Sequence, residues 1–199
     1  MSRRLTLPSS GLAFGHPLKS NVRPQMRSLV FLTAFISVSA IAQSRFASVA
    51  LIDGGAKLEI RDRSGSNWLA PKHDDQVGFQ SPKIAPGGRY AGWLALSPSC
   101  CTSYPVPLAL IVLDSRGQLH EFTGQQSTFG WCFERGGTAV AYKRALLHGA
   151  TPELFELRRI RDGALLRTFT VPAKVSTGDA SMPKLPKWAS CASKDAAGV

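Results

Sequence analysis

A segment bounded by prolines carries the most distinctive side-chain chemistry in this sequence. Two adjacent cysteines, Cys100 and Cys101, are followed by three residues that have hydroxyl groups. A cysteine thiol becomes a nucleophile when a nearby base or positive charge lowers its pKa. His148, in a later loop, could supply that base, so Cys100, Cys101 and His148 are weak candidates for catalysis. The candidates for ligand binding are Thr102, Ser103, Tyr104 and His148.

The cysteines also have a structural interpretation, which the sequence favours. They stand at Cys100, Cys101, Cys132 and Cys191, and four cysteines allow three pairings. Neighbouring Cα atoms lie about 3.8 Å apart, closer than ordinary disulfides prefer. We therefore expect one or two bridges from Cys100 and Cys101 to Cys132 or Cys191. No Cys-x-x-Cys or His-x-x-x-His spacing occurs, so the sequence predicts neither a metal site nor a cofactor.

The N-terminal part of the chain predicts export. Arg27 precedes an uncharged apolar run from Leu29 to Ile41, which ends in the small-x-small sequence Ala40-Ile41-Ala42. A basic residue, a short apolar run and an Ala-x-Ala ending are the three parts of a secretory signal peptide. The mature protein would then be periplasmic or secreted, and the apolar run would hold the chain to the membrane only if it is not cleaved.

These features predict the organisation of the chain. We expect a gene-model extension before a start at Met26, a signal peptide, a propeller-like domain and a polar tail with a closing strand near residues 186–192. The signal peptide would be cleaved between Ala42 and Gln43. The expected ranges are 1–25, 26–42, 43–172 and 173–199.

The formal net charge of +11 overstates the basicity of the mature chain. Some of the basic residues precede Gln43, namely Arg3, Arg4, Lys19, Arg23 and Arg27. Those that remain are interleaved with acids, as in the segment from Glu59 to Arg63, which is typical of a solvated face. Nucleic-acid binding favours a clustered basic stripe with aromatic residues. The sequence contains no such stripe, and it therefore predicts no nucleic-acid partner.

Short apolar runs between turn signals predict an all-β fold. The segment from Lys57 to Arg61 alternates apolar and charged residues, which is the period of a half-buried strand. The charges between Glu153 and Arg161 are compatible with a helix, but alternation between two turn signals favours a strand. With 44% hydrophobic and 19% charged residues, the composition excludes a disordered chain.

The strands recur along the chain at intervals of about 50 residues, a repeat length typical of propeller blades. Residues 87–93 match residues 136–142, and both segments begin with Gly-Gly. Turns with an acid before glycine recur as Asp62 to Gly65, Asp114 to Gly117 and Asp162 to Gly163. About three copies fit, fewer than the four to eight blades of a closed ring. We therefore expect an open or incomplete propeller, or a ring that a homodimer completes.

The segment from Pro86 to Trp93 resembles the repeats of bacterial periplasmic WD-like β-propeller proteins, whose pattern is Pro-Asp-Gly-Arg, an apolar residue and alanine. Gly87 stands where that pattern has aspartate. Residues 99–107 and the segment Leu147-His148-Gly149 also resemble a group of uncharacterised exported bacterial proteins with a Cys-Cys-Thr-Ser-Tyr-Pro loop. The resemblance covers roughly residues 48–172 and implies an architecture without an activity.

These observations favour an exported binding or scaffold module for a ligand or an envelope protein. Loops of repeated sheets are held by a rigid frame and gather on one side of it, which suits recognition. One alternative is a thiol- or histidine-dependent enzyme that uses the segment from Cys100 to Tyr104 with His148. The other is a membrane-anchored envelope component. No Gly-Lys-Ser phosphate loop, His-Glu-x-x-His or Gly-x-Ser-x-Gly motif occurs, so an enzyme is less favoured than a binding module.

Overall fold

The computed structural model describes residues 45–98, 102–148, 151–173 and 183–194. These ranges are built mainly of β-sheet with one short helix, which confirms the expected predominance of strands. The expected extension, the signal peptide with its cleavage site at Ala42 and Gln43, and the two cysteines at 100 and 101 lie outside the described residues. Within the described ranges, no helix is long and apolar enough to cross a bilayer.

The strands of the described residues form three antiparallel sheets, in which each strand pairs with its neighbours in the chain. The first sheet contains β1 (Phe46–Ile52), β2 (Lys57–Asp62) and β3 (Asn67–Leu69). The second contains β4 (Gly78–Ile84), β5 (Tyr90–Ser97), β6 (Val106–Asp114) and β7 (Leu119–Phe122). The third contains β8 (Ser127–Glu134), β9 (Ala139–Ala145), β10 (Glu153–Arg159) and β11 (Leu165–Val171). The segment that begins at Glu153 is thus a strand, as its alternation predicts.

The turn before the last strand of each sheet is stabilised in the same way. Asp62, Asp114 and Asp162 each accept, at Oδ1, a hydrogen bond of 2.8–3.2 Å from a backbone N–H two or four residues later. A carboxylate stabilises a turn by satisfying N–H groups that strand pairing leaves free. These same three acids recur before glycine along the sequence. In the structure, each of them lies at the turn that precedes the last strand of its sheet.

Two apolar layers hold the three sheets together. The layer between the first and second sheets includes Phe46, Leu58, Ile60, Phe79 and Trp93. The layer between the second and third sheets includes Leu94, Leu110, Trp131, Val140 and Tyr142. Because successive side chains of a strand point to opposite faces, β5 contributes Trp93 to one layer and Leu94 to the other. The second sheet is therefore buried on both faces, between the first and the third.

Close packing at Trp131 fixes how the second and third sheets meet. Its indole lies against Gly92 of β5, where an added Cβ atom would be 2.7 Å from Cη2 of the ring. The indole Nε1 donates a hydrogen bond to the carbonyl oxygen of Ser81 at 3.0 Å. A residue with a side chain at position 92 would force the two sheets apart or the indole out of its position.

The expectation of a closing strand near residues 186–192 is wrong, because this segment forms helix α1 (Lys187–Lys194). Ala189 and Ala192 are fully buried and contact a cluster that includes Phe155 and Val171 of the third sheet. Their spacing of three residues follows the period of a helix, not the two-residue period of a strand. Part of the expected polar tail therefore belongs to the core of the domain.

A disulfide joins α1 to the third sheet. It links Cys132 of β8 with Cys191 of the helix, whose Cα atoms are 6.0 Å apart. The expected bridge from Cys100 or Cys101 to one of these two residues is therefore wrong, because Cys132 and Cys191 bond to each other.

Candidate anion-binding cleft

Arginines of the described chain line a cleft at one end of the second and third sheets. In a sheet of consecutive antiparallel strands, alternate turns lie at the same end. Turns that are far apart in the sequence therefore meet there and bring their arginines together. They are Arg89 before β5, Arg116 between β6 and β7, Arg135 between β8 and β9, and Arg159 and Arg161 at and just beyond the end of β10.

The cleft has two compartments that share one wall. The first has a volume of about 280 Å³, and its own lining includes Arg135, Thr138 and Arg159. The second has a volume of about 320 Å³, and its own lining includes Asp114, Arg116, Gln118 and His120. Arg89, Tyr90 and Arg161 line both compartments. The compartments are thus neighbours, with two arginines and one aromatic ring between them.

Asp114, which lines the second compartment, is engaged by its own turn. Its Oδ1 atom accepts hydrogen bonds from the backbone N–H groups of Arg116 and Gln118 at 2.8 and 2.9 Å. Its Oδ2 atom lies 3.8 Å from Nε2 of His120. This acid therefore stabilises the turn and faces a histidine, and it forms no ion pair with an arginine of the cleft.

Asp162 partly neutralises the arginines at the end of β10. Its Oδ2 atom lies 3.1 Å from Nη1 of Arg159 and 3.5 Å from Nε of Arg161. The backbone hydrogen bond from Ala164, followed by the charge of Arg159, holds the pKa of Asp162 below its ordinary value. The carboxylate stays ionised at neutral pH, so these two arginines have part of their charge compensated.

Three arginines of the cleft have no acidic partner within the described part of the chain. The side chains of Arg89, Arg116 and Arg135 are exposed and form neither a hydrogen bond nor an ion pair with any described residue. Each guanidinium therefore keeps five N–H donors for solvent or a ligand. A concave surface with cations of one sign concentrates a positive potential that attracts anions.

The turn that carries Arg116 is held from the first sheet. Arg45, at the start of β1, donates a hydrogen bond from Nη1 to the carbonyl oxygen of Ser115 at 2.9 Å. The guanidinium carbon of Arg45 also lies 5.2 Å from the ring centre of Trp68, a cation–π distance. All three sheets thus contribute to this end of the molecule.

A buried polar network supports the turn that carries Arg161. Arg158 donates from Nε to Oε2 of Glu156 at 2.9 Å and from Nη1 to the carbonyl oxygen of Gly163 at 3.0 Å. The hydroxyl of Tyr142 donates to the same Oε2 atom at 2.5 Å. These contacts fix the turn between β10 and β11 against the interior of the third sheet.

The charges of this network are set by burial and by direct contacts. Burial alone would raise the pKa of Glu156, but hydrogen bonds from Arg158 and Tyr142 and the charge of Arg144 lower it overall. Burial and then the bond to Glu156 raise the pKa of Tyr142. Glu156 is therefore a carboxylate and Tyr142 a neutral phenol near neutral pH.

The ligand-binding candidates from the sequence lie at the opposite end of the sheets. Thr102, Ser103 and Tyr104 belong to the connection between β5 and β6, and His148 to the connection between β9 and β10. Tyr104 is half-exposed, and the hydroxyl of Thr102 donates to its carbonyl oxygen at 2.6 Å. Cys100 and Cys101 lie outside the described residues. The described members of this set are thus separate from the arginine-lined cleft.

One group of the described residues could provide metal ligands, but its sulfurs are already bonded. Cys132, Glu134 and Cys191 place their ligand atoms within 4.8 Å of one another. Because the two cysteines form a disulfide, neither sulfur is a thiolate that could bind a metal. The group therefore joins α1 to β8 and is not assigned to a metal.

The arginine cleft is the feature that sequence reasoning missed. Along the chain its arginines are spread over four separate segments, and only Arg159 and Arg161 stand close together. One pattern in the sequence could have indicated the cleft: Arg89 and Arg135 both stand within two residues of a Gly-Gly pair, in turns that the sequence comparison aligns. No family model matches the chain, and no curated protein shows significant similarity to it.

Proposed function

We propose that this protein is an exported binding or scaffold module and that its cleft binds anionic ligands. The observation that carries the proposal is the convergence of Arg89, Arg116 and Arg135 from different turns with no acidic partner among the described residues. Holding three like charges at one surface opposes folding slightly. A bound anion would offset the repulsion between the arginines and accept hydrogen bonds from their N–H groups.

Arginine suits this function better than other cations. Its planar guanidinium can form two parallel hydrogen bonds to a carboxylate or a phosphate. Hydrogen bonds that involve charged groups contribute about 1.5–3 kcal/mol each. A few such contacts are sufficient for a specific site, and the turns that carry them are held by Asp114, Arg45 and the Glu156 network.

The architecture supports recognition rather than catalysis. We propose that the three sheets are propeller-like blades, either in an open stack or as part of a ring that a second copy completes. The shared aspartate turns and the two apolar layers support this proposal. Rigid sheets would hold the turns in place, so the cleft would be formed before the ligand arrives and little ordering cost would oppose binding.

Binding is tested with inorganic phosphate as the probe. We expect phosphate to shift the side-chain NMR resonances of the cleft arginines at low ionic strength, with weaker binding as salt is added. Arg89→Gln should weaken binding about 10- to 100-fold, as expected for loss of a charged hydrogen bond. Arg167→Gln removes the same charge from the exposed face of β11 and should change affinity less than about 2-fold. Equal effects of the two substitutions, or no phosphate-induced shifts, would contradict the proposal.

Export is tested separately. We expect the protein, expressed in a bacterium, to be recovered outside the cytoplasm with Gln43 as its first residue, because Ala40-Ile41-Ala42 has the form of a cleavage site. The disulfide between Cys132 and Cys191 is compatible with an oxidising compartment. An uncleaved chain in the membrane fraction would support the anchored alternative, and an uncleaved chain in the cytoplasm would contradict export.

A further inference from the structure

We infer that the ligand of the cleft carries at least two anionic groups, one for each compartment. This inference rests on the proposed anion binding and adds the arrangement of charge in the ligand. The two compartments measure about 280 and 320 Å³. Each holds the volume of several water molecules at about 30 Å³ apiece, which accommodates one phosphate-sized or carboxylate-sized group with some of its hydration.

The distribution of the unpartnered arginines favours two anionic groups. Arg135 lines only the first compartment and Arg116 only the second. They come from different sheets, and neither has an acidic partner among the described residues. A single small anion in either compartment leaves one of these two guanidinium groups without a counter-charge, whereas a ligand with an anionic group on each side engages both.

The shared wall determines what can connect the two groups. Arg89 and Arg161 line both compartments and can contact either anion. Tyr90, which is half-buried, stands between them and packs edge-on against His120, with ring centres 6.5 Å apart. A unit that connects the two anionic groups would therefore lie along a wall that offers two guanidinium groups and one aromatic ring. The ligand class is therefore a molecule in which at least two phosphate or carboxylate groups are joined by a short connection.

Two linked anionic groups bind more tightly than two separate ones. Once the first group is bound, the second meets its compartment at an effective concentration in the millimolar range or above. A site with two compartments therefore discriminates by the number and spacing of anionic groups, and it releases single anions readily.

Stoichiometry separates this arrangement from a single anion site. We expect each chain to bind two inorganic phosphate ions but only one tripolyphosphate, measured by NMR titration of the arginine side chains and by calorimetry at low ionic strength. Tripolyphosphate should bind at least 10-fold more tightly than phosphate. One phosphate per chain, or two tripolyphosphate ions per chain, would overturn the inference and leave the proposed anion binding intact.

Two substitutions test the compartments individually. Arg116→Gln should weaken phosphate binding at one of the two sites and Arg135→Gln at the other, each about 10- to 100-fold, and each should weaken tripolyphosphate binding at least 10-fold. Arg167→Gln, which carries the same change of charge, should keep both phosphate ions. If Arg116→Gln and Arg135→Gln weaken the same phosphate site, or if neither weakens a site, the two-compartment arrangement is wrong.

The chemistry of the ligand is resolved by comparing two trimers with their monomers. Tripolyphosphate is compared with phosphate, and trigalacturonate with galacturonate. The trimer whose affinity exceeds that of its monomer by the larger factor identifies the preferred class, phosphorylated or carboxylated. If neither trimer binds more tightly than its monomer, the inference fails. If none of the four compounds binds, the proposed function fails with it.

Discussion

The disulfide between β8 and α1 should make a large contribution to stability. Replacing Cys132 and Cys191 together by serine removes the covalent link and leaves the rest of the helix contacts in place. The segment between the two residues contains β9, β10 and β11, so the bond closes a loop around most of the third sheet. Ala189 and Ala192 still bury their side chains against that sheet, and the variant should therefore fold.

The size of the effect follows from the length of the closed loop. For a sequence separation of 59 residues, the loss of chain entropy in the unfolded state corresponds to about 4 kcal/mol. In a domain of this size, a loss of 1 kcal/mol in the free energy of unfolding lowers the melting temperature by about 2–4 °C. The double serine variant should therefore melt about 8–16 °C below the wild-type protein.

The assay is thermal unfolding of the purified protein followed by circular dichroism. Ser190→Ala is the matched control, because Ser190 is adjacent to Cys191 and its hydroxyl bonds only within the helix, to the carbonyl oxygen of Lys187 at 2.8 Å. We expect this control to remain within about 2 °C of wild type, as for most substitutions away from the core. Non-reducing peptide mapping should recover one cross-linked pair that contains residues 132 and 191.

Two results would refute this reasoning. The first is a double serine variant whose melting temperature matches that of the Ser190→Ala control, because the bond would then contribute nothing to the stability of the fold. The second is a peptide map that joins Cys191 to Cys100 or Cys101, since the helix would then be linked to a different part of the chain.

Two further substitutions test the core between the sheets. Gly92→Ala should lower the free energy of unfolding by about 1–3 kcal/mol in urea, because the new methyl group overlaps the ring of Trp131, and an unchanged midpoint would contradict the described packing. Glu156→Gln should flatten the pH dependence of stability. Because the folded-state pKa of Glu156 is lowered, its contribution is present above the unfolded value near 4.5 and is lost as the pH falls through the folded value; parallel curves for wild type and variant between pH 7 and 3 would contradict this.

Local patterns predicted the strands well because each sheet obeys rules that act over a few residues. The alternation in β2 and β10 follows from burial of one face, and the aspartate before glycine marks a turn wherever it occurs. Helix α1 was missed for a related reason. It has only eight residues, and its apolar positions become meaningful only beside the sheet that covers them. Trp188 and Cys191 alone do not distinguish a helix from a strand.

The arginine cleft could not be found by inspecting charge along the chain, because the chain spreads the charge over separate turns. Arg89 and Arg135 are far apart in sequence and close at the cleft, where each turn contributes one cation. Asp114, which is close to Arg116 in the sequence, bonds to the backbone of its own turn, whereas Asp162 bonds to its turn and also pairs with Arg159 and Arg161. Arg116 thus appears neutralised by Asp114 in the sequence but has no acidic partner among the described residues of the fold. In stacked sheets of this kind, charge is therefore better compared between corresponding turns of successive sheets, and each aspartate is counted only against the arginines that it contacts.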